Sequence, residues 1–539
     1  MLAAAGMFVF LGSASAAAQN RLYSNEFPLS AVTLGEGPFK KARDLNIEVL
    51  LSYDVDRLLA PYLKEAGLTP KAESFANWDG LDGHVGGHYL TALAIHTAAT
   101  GDPRLKQRLD YMLDELERAM KASPEGILSG VPGGSALWAD IRGGDVEAVN
   151  KYWVPWYNIH KIYAGLRDAW VYTGSERARD MFVAMADWCE RLIAPLPADR
   201  MEKMLDTEFG GMNEVLADAY AITGERRYLD AACKFSHRRL LDSMAAGVDN
   251  LDNMHANTQV PKAVGYQRVA ELGGGDTYDR AAHFFWDTVT GERSLAFGGN
   301  SRREHFPSAD DCKSYIEERE GPETCNTNNM LKLTEGLFRM KPDARYADFY
   351  ERALFNHILS SQHPGHGGYV YFTPARPAHY RVYSSPNSAM WCCVGTGMEN
   401  HGKYGQFIYT RGGDSELYVN LFIPSALDWQ EKGVRVEQST DFPAEGRTAL
   451  VMKMKKPTRF TLRVRRPGWA TGEFAYSING KRIAADSDPS SHYVTIDRKW
   501  RDGDRLELVM DMPVRVEELI HNPQYVAVMR GPIPVSYTP

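Results

Sequence analysis

The amino-acid sequence predicts a chain that is mainly α and then β: an (α/α)6 toroid followed by an antiparallel β-sandwich. Three observations carry this reading. Apolar residues recur at helical spacing from about residue 40 to residue 360. A Thr-Gly step closes one helix and opens the next at 99–102, 172–175 and 222–225. After about residue 405 the apolar period changes to two.

The elements follow in order. Residues 43–66 place Leu45, Ile47, Val49, Leu50, Leu58, Leu59, Tyr62 and Leu63 at helical spacing. Further helices fit 86–101, 103–122, 156–174, 176–193, 212–224, 226–243, 276–289, 326–340 and 344–360. At each Thr-Gly step the glycine supplies the stop, and an Asp or Ser can cap the helix that follows. The recurring unit is a helical hairpin of roughly 50 residues, and about ten to twelve helices make a toroid. In such a toroid the ends of the inner helices line a central pocket. Residues 416–422, 459–465 and 505–510 then alternate as strands do, and Asn479-Gly480 marks a tight hairpin turn. The expected division is a helical domain over 30–410 and a β-sandwich over 411–539. The apolar run 525–529 lies so near the last residue that a truncated sandwich is expected.

Residues 1–18 carry no charge and run from an apolar stretch into Ala16-Ala17-Ala18, the pattern of a signal peptide. The expectation is export, to a periplasm. That run is too short to span a bilayer, and no later segment reads as transmembrane. The net charge of −8 and the pI near 6.0 argue against a nucleic-acid partner. At 539 residues the chain has room for two or three domains. The sequence admits a homodimer.

Three of the six cysteines, Cys325, Cys392 and Cys393, fall between positions 325 and 393, and Glu323 stands two residues before the first. A carboxylate and three thiols make a four-ligand metal set that suits Zn2+. In an exported protein six cysteines could instead form disulfides. Adjacent Cys392 and Cys393 could bond to each other only through a strained ring. Cys189 and Cys233 lie in helical apolar patterns and read as core residues. Cys312 either pairs with Cys325 or stays free.

Five polar–aromatic clusters interrupt the helical pattern near predicted helix ends, at 78–89, 154–161, 208–214, 253–259 and 298–306. Their His, Asn, Gln and Glu beside Trp and Tyr suit a polyol with a ring face to stack on. Helix capping would account for any one of them alone. Glu304 and Glu323 add a pair of carboxylates, the equipment of glycosidic cleavage. Glu399, just after the cysteine pair, competes for the same roles.

Residues 299–306 (Gly-Asn-Ser-Arg-Arg-Glu-His-Phe), 321–327 (Gly-Pro-Glu-Thr-Cys-Asn-Thr) and Trp391-Cys392-Cys393 resemble the β-L-arabinofuranosidases of glycoside hydrolase families 127 and 146. Residues 78–89 and 155–166 support the resemblance, which covers roughly 30–520 and looks closer to the 146 branch. It implies an (α/α)6 catalytic barrel and a β-sandwich. It implies zinc held by Glu323, Cys325, Cys392 and Cys393, with Cys392 as nucleophile and Glu304 as acid/base. The expected activity is release of terminal β-L-arabinofuranose, with retention, from arabinose-containing oligo- or polysaccharides of plant type. His160, Glu214 and His255 are candidates for the sugar hydroxyls.

Three other readings compete. A carbohydrate-binding protein with a structural zinc site would not need metal to hold a toroid that has its own core. A polysaccharide lyase or unsaturated-uronyl hydrolase on the same toroid would work through Asp, His or Tyr without a cysteine cluster. A thiol redox protein would show Cys-x-x-Cys spacing, which is missing here.

Overall fold

The computed structural model describes residues 19, 22–76, 81–311, 313–385, 387–483 and 492–538. The expected signal peptide, Trp78 and Cys312 lie outside the described residues.

Six inner helices form the toroid: His84–Thr100, Pro155–Thr173, Met212–Thr223, Ala256–Glu271, Thr324–Met340 and Cys392–Asn400. Each packs on the next, and the last packs on the first, which closes the ring. These helices are buried on nearly every side; in Pro155–Thr173 every residue except Ala164 is buried. Outer helices are one-sided instead. Pro103–Ala122 buries Leu105, Leu109, Met112, Leu113, Leu116 and Ala119, and turns charges to solvent. The outer partner of the final inner helix is the first long helix of the chain, Pro38–Ser52. Its Asn46 Nδ2 donates to Met398 O at 2.9 Å.

The Thr-Gly steps work as expected. Gly101, Gly174 and Gly224 take positive φ, and their amides return to Thr97 O, Trp170 O and Tyr220 O. Asp102 and Ser175 cap the helices that follow by accepting from Arg104 N and Ala178 N. Glu225 supplies no side-chain cap.

Several elements differ from the sequence reading. The run at 43–66 is two helices, Pro38–Ser52 and Val55–Glu65, parted where Asp54 caps the second. The run at 226–243 breaks at His237, which takes a left-handed conformation between Arg226–Lys234 and Arg238–Ala245. The helix from residue 344 is α only to Ala353 and continues as a π turn, Leu354–Ile358. Two inner helices, Ala256–Glu271 and Cys392–Asn400, lack the apolar period that would announce them. The first buries Asn257, Gln259, Lys262, Gln267 and Arg268 toward a polar lumen. The second contains Gly395 and Gly397, poor helix formers. A Cβ on Gly395 would run into the His88 ring, and one on Gly397 into the Tyr369 ring.

The β-region is built on two sheets. The seven-stranded sheet runs Val32–Leu34, Ser425–Trp429, Val434–Thr440, Arg447–Met454, Arg505–Met510, Phe474–Ile478, Lys481–Ile483. Its first strand comes from the N-terminal side of the toroid, pairing Val32 with Leu427. The expected boundaries of 30–410 and 411–539 therefore do not separate helices from strands. The four-stranded sheet runs Tyr493–Trp500, Thr458–Arg465, Glu416–Val419, Tyr409–Gly412. One of its pairings, Glu416–Val419 with Thr458–Arg465, is parallel, so the sandwich is not wholly antiparallel. Asn479 and Gly480 both take positive φ, as the tight hairpin requires. Residues 514–538 form a separate three-stranded antiparallel sheet outside the sandwich. Among the described residues no helix is long and apolar enough to cross a membrane.

One buried ion pair ties sandwich to toroid. Arg465, at the end of its strand, is fully buried and bonds Glu351 and Asp348 of the Ala344–Ala353 helix. It also donates to Asn420 O at 2.6 Å, while Trp469 Nε1 donates to Glu351 at 2.8 Å. Arg465→Met leaves the Glu351 carboxylate buried without its cation, so a loss of about 3–5 kcal/mol is expected in denaturant unfolding. A loss below about 1 kcal/mol would show that the pair does not hold the two parts together.

Candidate active site

The N-termini of two inner helices meet, and a carboxylate and three thiols stand on them. Glu323 is the N-cap of Thr324–Met340. Its extended backbone forms an antiparallel bridge with Phe372. Cys325 lies in the first turn of that helix, and Cys392 and Cys393 open Cys392–Asn400. Two helix N-termini thus aim their partial positive charge at three sulfurs, which favours thiolates.

The ligand atoms of Glu323, Cys325, Cys392 and Cys393 all lie within 4.8 Å of one another, and all four residues are buried. Cys392 Sγ is 3.6 Å and Cys393 Sγ 3.8 Å from Glu323 Oε1. Cys325 Sγ is 3.2 Å from Thr396 Oγ1. Glu323 Oε2 is buried without a hydrogen-bond partner. Burial and the charge of Cys392 push the Glu323 carboxyl well above its ordinary range. Hydrogen bonds from the Cys325 and Cys393 thiols pull the Cys392 thiol down, while burial pushes Cys325 and Cys393 up.

The residues fit a tetrahedral ion. Zinc–sulfur bonds of about 2.3 Å would set neighbouring ligand atoms roughly 3.8 Å apart, close to the two Sγ–Oε1 separations. Such an ion would also engage the orphaned Glu323 oxygen. All five described cysteines are free, so the Cys392–Cys393 disulfide does not form and Cys325 is unpaired. Cys189 packs wholly inside the core and Cys233 at its edge, as expected.

Glu304 faces this cluster from a tight hairpin in which Arg302 and His305 are bridged. Ser301, Arg303 and Glu304 all take positive φ, of 82°, 47° and 67°. Non-glycine residues adopt this region at a cost, and such strain gathers at functional sites. The 12 residues between His305 and Glu318 include a short helix, Ser314–Glu317, and Arg303 N returns to Glu320 O at 2.9 Å. Glu304 keeps its place beside the cluster. Its Oε1 accepts from Tyr371 Oη, and its Oε2 lies 3.7 Å from His255 Nε2. The nearby His255 ring holds the Glu304 carboxyl below its usual range, with burial opposing and Tyr371 assisting. Burial works against charge on His255, yet its bond to Glu304 and the nearby Glu208 raise it above the ordinary histidine value.

Sequence reasoning missed Tyr371. Its hydroxyl bonds Glu304, its side chain helps to lower the Cys392 thiol, and its backbone oxygen accepts from Thr324 N at 3.0 Å. It spans the two halves of the site. The alternation of residues 369–372 was its only signal. Glu208 was quoted within a cluster but not singled out; burial raises its carboxyl, and His255, Lys161 and Thr258 surround it.

The other sequence candidates divide. His255 caps Ala256–Glu271 through Nδ1 and stands beside Glu304. His160 is buried with neither ring nitrogen hydrogen-bonded. A Cβ on Gly210 or Gly211 would come within 2.9 and 2.8 Å of its ring, so the glycine pair makes room for it. Glu214 is not brought to Glu304. Arg167 holds one of its oxygens at 2.9 Å and Lys332 the other at 2.8 Å. It lines an interior cavity of about 80 Å³ together with His88, His160, Lys161 and Glu399. Glu399 does not compete with Glu304 either, since it pairs with His88 at 2.6 Å and Lys403 at 3.0 Å.

A polar-lumened helical toroid with a carboxylate facing a cysteine cluster, joined to a β-sandwich, has the equipment for glycosidic cleavage. The comparisons with known proteins agree. The family model described as "Beta-L-arabinofuranosidase, GH127 catalytic domain" matches residues 31–406, and the GH127 middle-domain model matches 416–512. The chain belongs to the GH127 β-L-arabinofuranosidase family. The non-reducing end β-L-arabinofuranosidase of Bifidobacterium longum is 25% identical over 511 residues, which span 82% of this chain and 72% of that protein. Two solved structures share the fold. A GH127 β-L-arabinofuranosidase from Geobacillus stearothermophilus T6 has a TM-score of 0.73 at 19% identity, over 93% of this chain and 86% of that one. The GH127 β-arabinofuranosidase BT3674 has a TM-score of 0.73 at 20% identity, over 96% and 86%. Family membership sets aside the lyase, redox and non-catalytic readings.

Proposed function

We propose that the protein is an exo-acting, retaining β-L-arabinofuranosidase in which a zinc-bound Cys392 is the nucleophile and Glu304 the acid/base. The observation that carries this is Tyr371, which donates to Glu304 and packs against the buried cluster of Cys325, Cys392 and Cys393, so that a carboxyl and the thiols share one site. Glu323, Cys325, Cys392 and Cys393 would hold the zinc. Bound there, zinc keeps the Cys392 sulfur deprotonated near neutral pH, where a free thiol of pKa about 8.5 is mostly protonated.

The chain's own residues do the rest. Glu304 protonates the leaving glycosidic oxygen while the Cys392 sulfur attacks the anomeric carbon, which leaves a thioglycoside and an ionised Glu304. Glu304 then takes a proton from water. That water displaces the sulfur, and two inversions give retention. Tyr371 and His255 orient the carboxyl through both steps. In this scheme His160 and His255 bind sugar hydroxyls, whereas Glu214 acts through Lys332 and Arg167. The substrate class is terminal β-L-arabinofuranosides of plant-type glycans. The uncharged apolar lead of residues 1–18 supports action outside the cytoplasm.

The test pairs activity with metal content. The purified protein should release L-arabinose from an aryl β-L-arabinofuranoside and hold about one zinc per chain. A chelator should abolish turnover, and added zinc should restore it. A fully active, metal-free protein with a Cys392–Cys393 disulfide would sink the mechanism.

A further inference from the structure

A groove of about 950 Å³ opens at one end of the seven-stranded sheet, where Trp429, Val434 and Met454 meet. Its cations are Lys432, Arg435, Lys453, Lys455 and Lys456, and its carboxylates are Asp428 and Asp502. The whole chain carries a net charge of −8, so this local excess of positive charge runs against the balance of the protein. The carboxylates there are already engaged. Arg435 holds Asp428 at 2.6 Å, and Met454 N donates to Asp502 at 3.0 Å. Nearby Glu431 is held by Arg411 at 3.1 Å, and Glu437 by Arg435 at 3.2 Å. Arginines thus take the local anions, and among the described residues none of the four lysines has a carboxylate partner. Lys453, Lys455 and Lys456 are exposed, and Lys432 is half-buried with Nζ 5.9 Å from the Trp429 ring centroid. The register adds a conflict. Lys453 stands directly opposite Arg435 across the sheet, and like charges so placed destabilise a strand pair. A local conflict of this kind points to a compensating gain.

We propose that this groove binds a linear acidic polysaccharide, a sugar chain bearing uronate carboxylates, apart from the catalytic site. Four unpaired ammonium groups in one groove match a chain that carries negative charge at intervals, and lysine's flexible stem lets each follow its carboxylate. The groove is concave, which admits a single chain rather than the plane of a bilayer. A single-stranded nucleic acid would need exposed aromatic faces for its bases, and Trp429 is only 2% exposed. Bound there, the enzyme stays on its glycan while a terminal sugar enters the catalytic pocket. The inference depends neither on zinc nor on the choice of nucleophile.

The test measures binding of polygalacturonate to the full-length protein. The wild type should bind at low salt, and its affinity should fall as added salt screens the exposed charges. A variant combining Lys432→Gln, Lys453→Gln, Lys455→Gln and Lys456→Gln should bind at least about tenfold more weakly, because exposed pairs are weak singly and act together. Its Tm should equal or exceed that of the wild type, since the repulsion between Lys453 and Arg435 is gone. The charge-matched control combines Lys41→Gln, Lys64→Gln, Lys341→Gln and Lys481→Gln, at exposed lysines outside the groove. It should bind as the wild type does. No binding by the wild type, or an equal loss in the control, would overturn the proposal. So would groove-dependent binding of phosphatidylglycerol vesicles or single-stranded DNA as tight as that of polygalacturonate, because the groove would then be an unselective cationic surface.

Discussion

Cys392→Ala should reduce hydrolysis of an aryl β-L-arabinofuranoside by at least about 10⁴-fold while leaving the circular dichroism spectrum unchanged. The size follows from the role, since removing a covalent nucleophile removes the first of two steps and leaves only binding and electrostatic stabilisation. The fold should survive, because Cys392 starts a short helix whose other residues keep the ring closed. Loss of metal could mimic loss of a nucleophile, so zinc content must be measured on the same sample. Cys325→Ala is the control. It removes a ligand but not the attacking sulfur, and excess zinc should restore part of its activity. Substantial turnover by Cys392→Ala at normal zinc content would move the nucleophile elsewhere.

Glu304→Gln should show a split between substrates. With a poor leaving group the rate should fall about 10²–10⁴-fold, the usual worth of a positioned acid/base. With an activated aryl leaving group the first step needs no proton, whereas the second still needs a base. A thioglycosyl enzyme should therefore accumulate, visible as a burst of phenol and as protein one pentosyl unit heavier, with the added mass on the Cys392 peptide. The amide keeps the size of the side chain and can still accept from Tyr371, so the strained hairpin should persist. If the variant is equally slow on both substrates and no adduct forms, Glu304 is not the acid/base, and Glu208 becomes the carboxyl to examine.

Much of this molecule was legible in its sequence, for physical reasons. Outer helices write their one-sided burial as a period, and the glycines of the Thr-Gly steps write their positive φ. The cluster that could hold a metal ion was legible because Glu323, Cys325, Cys392 and Cys393 are chemically unusual and stand at two local positions. What stayed hidden depends on the ring. Ala256–Glu271 faces a polar lumen, so burial leaves no apolar stripe there. Cys392–Asn400 has glycines where His88 and Tyr369 press against it. Tyr371 reaches Glu304 only because its segment bridges to Glu323, a pairing that no local pattern records. Glu214 reads in sequence as a candidate for a sugar hydroxyl, and only the packing of the inner helices supplies Arg167 and Lys332.

Closure of the ring by its first and last inner helices also bears on how the protein is made. The His84–Thr100 helix waits for Cys392–Asn400, which emerges from synthesis almost three hundred residues later. Contacts of such sequence separation form late. Before then, Cys325 and the Cys392–Cys393 pair belong to separate hairpins with no reason to meet. The four side chains that could hold a metal ion thus come together only when the last inner helix packs into the ring.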